Sequence, residues 1–185
     1  MVGAIWGCVL IMVAGCSERI ASPPPPIDTN PLDNAEGFKP QRASNWCWAS
    51  IVENVTGVPQ CEVPSSVYPE LSEVDCCSPE NLAQCNLPGA LQEGLLKAAG
   101  VVSTYTRSPL SREDLDAQIE VGSHVAVHLR GPTLQHVVLI HKRLGVAYVA
   151  WDSGQDANIF LGYQDMIKGL SYRGHAVKWE ATTTW

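Results

Sequence analysis

The sequence has no cluster of lysine or arginine and no apolar run long enough to cross a bilayer. It carries 12 Lys and Arg against 19 Asp and Glu, a formal net charge of −7. Affinity for nucleic acid depends on a positive face that neutralises phosphates, so a nucleic-acid role is excluded. Residues 4–14 make the longest apolar stretch, well short of the about 20 residues a spanning helix needs. No internal repeat is present, and nothing calls for a metal or cofactor. What remains is a chain of 185 residues, 45% apolar and 17% charged, the profile of one globular domain with an appendage.

The apolar stretch ends in Val13-Ala14-Gly15-Cys16. A short apolar core closing on small residues is a secretory signal. "VAGC" resembles the lipobox of bacterial lipoproteins, which implies cleavage before Cys16 and acylation of its thiol. The segment before the core lacks the usual Lys or Arg. Residues 1–15 are therefore expected to be a lipoprotein signal, which makes the protein exported and membrane-attached, on the periplasmic face of an outer membrane or at the cell surface. Residues 16–37 include four consecutive prolines, Pro23–Pro26. Such a run favours a stiff polyproline II spacer over helix or strand, and it reads as a tether for a domain over 38–185. Recognition of the prolines by a groove-type partner is the alternative.

Seven cysteines are present: Cys8, Cys16, Cys47, Cys61, Cys76, Cys77 and Cys85. With Cys8 in the signal, Cys16 acylated and Cys47 set aside, Cys61, Cys76, Cys77 and Cys85 remain close together. An even cluster in an exported chain reads as two disulfides. A vicinal Cys76–Cys77 bridge would be strained, so Cys61 is expected to join one of that pair and Cys85 the other. A zinc site is the rival, but the spacing has no CxxC knuckle and no nearby histidine.

"QRASNWCWASIVENVTG" (41–57) predicts a helix. Ser44 or Asn45 is a ready N-cap, Trp48, Ile51, Val52 and Val55 recur on one face, and Gly57 takes the terminating position. Cys47 then lies in the first turn, where unpaired N–H groups and the helix dipole favour a thiolate. Of the five histidines, His124 and His128 share one face of an alternating strand and read as solvated. A metal on that pair is the alternative. His141 reads as a surface residue, and His175 has no evident partner. His136 opens the apolar run Val137–Ile140, a strand buried on both faces. After a turn near Leu144-Gly145, "VAYVAWDSG" closes on Asp152. An antiparallel hairpin brings the two ends together, and Asp152 is expected to hold the imidazole through Nδ1. Asp156 and Asn158 are competing candidates on the following loop.

Gln41, Cys47, His136 and Asp152, in that order, resemble the papain-like cysteine peptidases. The likeness is greatest to the small bacterial subgroup that includes a plant-pathogen effector protease and the bacteriocin-leader peptidases. The matching segments are Asn45–Ala49 ("NWCWA"), Cys76-Cys77 with Cys85-Asn86, His136–Ile140 ("HVVLI") and Trp151–Ser153 ("WDS"), and the likeness covers about 38–182. Thr133-Leu134-Gln135 stands where the family often has Gly-Gly, so Leu134 narrows the approach. The resemblance implies an α+β papain-like fold, with an N-terminal helical part carrying the Cys helix packed on a C-terminal antiparallel β-sheet. It also implies a Cys47 nucleophile, a His136 base, an Asp152 orienter and a Gln41 amide at the oxyanion. The substrate would be a peptide or protein, with hydrolysis or transamidation as the outcome. A non-catalytic binding lipoprotein that retains the fold is the other expectation.

Overall fold

The computed structural model describes residues 37–89, 96 and 100–185. The expected signal (1–15), Cys16 and nearly all of the tether (16–37) lie outside the described residues. Among the described residues no helix is long and apolar enough to cross a membrane.

The chain is α+β. Helix α1 spans Cys47–Thr56 and α2 Val63–Val67, followed by 3-10 turns at Pro69–Leu71 and Pro79–Asn81, and by α3, Leu82–Cys85. After them come β1 (Thr104–Thr106), α4 (Arg112–Glu120), β2 (Val125–Arg130), β3 (Gln135–Leu144), β4 (Ala147–Asp152), β5 (Ala157–Gly162), α5 (Tyr163–Lys168), β6 (Leu170–Tyr172) and β7 (His175–Thr184). All strand pairs are antiparallel, in the order β1-β7-β2-β3-β4-β5 with β6 on β7.

The sheet is covered on both faces, which explains why its central strands read as continuous apolar runs. Ala126, Val137, Leu139 and Trp151 pack with α1 and the cysteine-rich segment. The alternate residues Val125, Val127, Leu129, Val138, Ile140, Tyr148 and Ala150 pack with Leu115 of α4, Met166 of α5 and Tyr172 of β6. Every residue of Val137–Ile140 is buried, as a two-sided strand requires.

Helix α1 begins at Cys47, but its N-cap is Trp46, without a side-chain cap bond, and neither Ser44 nor Asn45 takes that role. Both are instead drawn to Asn86, whose Nδ2 donates to Ser44 Oγ at 2.9 Å and whose Oδ1 accepts the Asn45 N–H at 2.9 Å. The helix ends as read from its sequence, with Gly57 left-handed at φ 78°. Arg173 and Gly174 form the two-residue link between β6 and β7, with φ 51° and 80°. A left-handed φ costs a non-glycine residue about 1–2 kcal/mol, which makes Arg173 an unusual choice there.

The disulfides are Cys61–Cys77 and Cys76–Cys85, with Cα separations of 4.9 and 5.6 Å. They take up all four cysteines of the zinc alternative. Cys85 is fully buried, its carbonyl accepts the Trp46 indole N–H at 2.8 Å, and the Leu87 carbonyl accepts that of Trp48 at 3.3 Å. The bridges thus fix the strip of chain against which the start of α1 rests. Loops of this size, closed by a disulfide, contribute about 2–4 kcal/mol. Cys61→Ser with Cys77→Ser should lower the unfolding free energy by about that amount in urea titrations, and an unchanged midpoint would show that the bridge is idle. Alkylation and peptide mapping should find Cys47 the one reactive thiol in residues 37–185 of the oxidised protein.

Candidate active site

Three layers of the fold meet at one end of the central strands. Leu139 pairs with Trp151, which sets Asp152 opposite Val138 one step further along. His136 is then the diagonal neighbour of Asp152 on the same side of the sheet, within reach of a polar side chain. His136 Nε2 lies 2.8 Å from Asp152 Oδ1. The expected nitrogen was Nδ1, but the offset of two residues presents Nε2 to the carboxylate and leaves Nδ1 for the thiol. Cys47, the first residue of α1, stands beside His136 on the wall of one groove. Among the described residues it is the free cysteine. The structure therefore brings together Cys47, His136 and Asp152, which lie far apart in sequence.

Asp152 has no exposed surface. Besides His136, its Oδ1 accepts the Gly154 N–H at 3.0 Å, and its Oδ2 accepts the Gln155 amide at 2.7 Å and the Tyr172 hydroxyl. Burial alone would raise its pKa, but the His136 hydrogen bond and charge, with the Tyr172 and Gln155 donors, outweigh that and push it down to about 2. Burial would likewise lower the pKa of His136, whereas hydrogen bonds to Asp152 and Cys47 and the charges of both push it up to about 9. The pair is held charged across the neutral range.

Tyr172 is a site residue that sequence reasoning did not single out. Its ring stacks on the imidazole, with centroids 5.1 Å apart and planes 19° from parallel, while its hydroxyl donates to Asp152. One side chain thus braces both His136 and Asp152. The signal was weak, since "LSY" before a turn reads only as a strand end. The sequence places Asn86 only beside Cys85, and its bonds across the start of α1 arise in three dimensions.

Gln41 lies beside this group, held by its N–H to the Ser153 carbonyl at 3.0 Å. Its Nε2 donates to the carbonyls of Ala43 and Ser44, each at 2.9 Å, and its Oε1 accepts the Ser153 hydroxyl at 3.3 Å. Both amide hydrogens are thus engaged. The rival carboxamide Asn158 faces away, its Oδ1 2.9 Å from His141 Nε2, and Asp156 is exposed on its turn at φ 53°.

Three histidine expectations need correction. His124 and His128 are half-buried, not solvated. His124 stands edge-on to Phe38, and His128 contacts Tyr105 and lies 3.1 Å from Thr183 Oγ1. Burial, aided by the nearby Arg130 charge, pushes the pKa of His128 down to about 4. His141 is also half-buried, edge-on to Phe38. Each is drawn inward because the polar face of its strand is roofed by aromatic side chains. Among the described residues no group of three His, Cys, Asp or Glu is placed to hold a metal. His175 Nδ1 lies 2.9 Å from Thr133 Oγ1, so it ties down the loop before His136.

Cys47 and His136 line a groove of about 1140 Å³ that also runs past Trp48, Tyr68, Gly89 and Leu134. A Cβ on Gly89 would lie 2.3 Å from the Trp48 ring, so this wall requires glycine. No protein-family model matches the chain, and no curated protein matches it.

The two shifted groups set a pH window. His136, raised from 6.5 to about 9, contributes stability that is complete below about pH 6.5 and lost as pH rises through 9. Asp152, lowered from 3.8 to about 2, contributes above pH 3.8 and loses its share as pH falls through 2. Denaturant titrations should show wild type losing stability between about pH 6.5 and about pH 9.5, and Asp152→Asn losing clearly less. Tyr172→Phe, which keeps the stack but removes a donor to a charged acceptor, should cost about 1.5–3 kcal/mol of stability. No effect of Tyr172→Phe would mean that its hydroxyl does not serve the carboxylate.

Proposed function

We propose that this protein is a papain-like cysteine peptidase or amidase, exported and tethered by lipid on Cys16. The observation that carries the reading is the His136–Asp152 hydrogen bond with Cys47 beside the imidazole, the thiol lining a groove of about 1140 Å³. A carboxylate that orients an imidazole, which in turn pairs with a nucleophile, is the working arrangement of acyl-transfer triads.

In the proposed reaction the Cys47 proton already rests on His136 Nδ1, a thiolate–imidazolium pair in which Asp152 holds the imidazolium through Nε2. The thiolate sulfur attacks the carbonyl carbon of the substrate amide, and the C=O π pair moves onto oxygen. The Cys47 N–H, which precedes the helical ladder of α1, and one Gln41 amide hydrogen stabilise that oxyanion. For this, one of the Gln41 bonds to Ala43 or Ser44 must be exchanged. A donor of this kind is worth about 2.7–4 kcal/mol in the transition state. Collapse of the intermediate breaks the C–N bond, and His136 gives its proton to the departing amine. Water, deprotonated by His136, then attacks the thioester carbon and releases the acid, and the sulfur leaves as thiolate. If an amine takes the place of water, the same site performs transamidation.

One observation favours the second reading, a non-catalytic binding lipoprotein, because both Gln41 amide hydrogens are engaged by carbonyls. Turnover separates the two. Screening a peptide library should reveal cleavage that disappears in Cys47→Ala and drops by about 10²–10⁴-fold in Asp152→Ala, while Asp156→Ala stays within a few-fold of wild type. Complete absence of Cys47-dependent cleavage, with the fold intact, would favour the binding lipoprotein. The tether is tested by fractionation: Cys16→Ser should release the protein from membranes, and an unchanged membrane fraction with an unchanged N-terminal mass would contradict the anchor.

A further inference from the structure

The groove carries a charge opposite to that of the chain. Arg107, Arg130 and Arg173 line it together with a single acid, Glu180, in a protein whose net charge is −7. Arg130 is spoken for: its Nε is 2.8 Å from Glu180 Oε2, and its Nη2 donates to Gln135 Oε1 at 3.2 Å. Arg107 and Arg173, both exposed, have no ion pair with any described residue.

Arg173 also occupies a position that folding does not favour. It is the first of two linking residues with positive φ, 51° and then 80° at Gly174, the pattern of a type I′ turn. Asn, Asp and Gly are the ordinary occupants of that first position. A residue kept in an unfavourable backbone region at the rim of a site points to a role for its side chain. The guanidinium reaches back over the loop that follows Asp152. A Cβ built on Gly154 would lie 3.4 Å from Arg173 Nη1, 3.2 Å from Gln41 Oε1 and 3.4 Å from Asp152 Oδ1. Arg173 therefore sits near Gln41 in the groove that Cys47 also lines, with donors free for a ligand. Its planar fork matches a carboxylate through two parallel N–H···O bonds.

We propose that Arg173 is a specificity residue that binds a carboxylate of the substrate, and that the groove selects anionic chains, with Arg107 extending the positive surface. This rests on the peptidase reading above. The carboxylate belongs either to an acidic side chain near the scissile bond or to the C-terminus of a short substrate, and the arms of the experiment separate these sources.

The full chain is assayed with three matched peptides built on a cleaved sequence: one with Glu near the scissile bond and a C-terminal amide, one with Gln in its place, and one with Gln and a free C-terminal acid. At least one carboxylate peptide should exceed the neutral one in kcat/KM by about tenfold, the worth of a charge-assisted hydrogen bond. That ratio should shrink several-fold when salt is raised from about 0.05 M to about 0.5 M. It should fall to about twofold or less in Arg173→Asn, a substitution suited to the left-handed turn and so compatible with folding. Lys142→Gln, at an exposed cation outside the groove, should leave the ratio as in wild type. Wild type without a carboxylate preference, or Arg173→Asn that retains one, would overturn the proposal while leaving the peptidase reading intact. Absence of Cys47-dependent cleavage of every peptide would overturn both.

Discussion

The Asp152 carboxylate is fully buried and accepts four hydrogen bonds, from His136, Gly154, Gln155 and Tyr172. A charge taken out of water to this extent is tolerable only when its lone pairs are all engaged and a partner cation is near. That requirement organises the surroundings. It ties β3 to the end of β4, curls the 153–155 turn back over the carboxylate, and draws the β6 end onto the imidazole. The donors come from β3, from the 153–155 turn and from β6, so the geometry of His136 is set from several sides at once.

Cys47 arrives from the other layer. Helix α1 packs with Ala126, Val137, Leu139 and Trp151 through Trp48, Ala49, Ile51 and Val52, and its first turn is aimed by the segment that the disulfides pin. Trp46 and Trp48 each need an acceptor for the indole N–H once buried, and the Cys85 and Leu87 carbonyls supply them. The cysteine-rich segment is built of short helices and 3-10 turns, and it supports the start of α1 at Cys47. Cross-linking adds to the apolar packing of Val63 and Leu71 against the core.

Much of this was legible in the sequence, for particular reasons. The limits of α1 at its C-terminal end, the buried strand Val137–Ile140 and the hairpin that pairs the ends at His136 and Asp152 follow from periodicity and one turn signal. Cysteine parity with the strain of a vicinal bridge left two cross-pairings, between which only the three-dimensional structure chose. The N-cap was misread because Asn86, 41 positions from Asn45, competes for the side chains that would have capped the helix. The solvated reading of His124 and His128 fails because alternation shows which face is polar and not what covers it, and the surface reading of His141 fails because Phe38 packs on its ring. Tyr172 escaped notice since its value lies in contacts with two residues on distant strands.

The central claim is that Cys47 becomes acylated through His136. Rapid-quench intact-mass measurement with a cleavable substrate tests it most directly. A transient thioester should appear on Cys47 before product accumulates, and it should be missing or strongly slowed in His136→Ala although that variant retains Cys47. An adduct on another residue, or one that forms at the same rate without His136, would contradict the account.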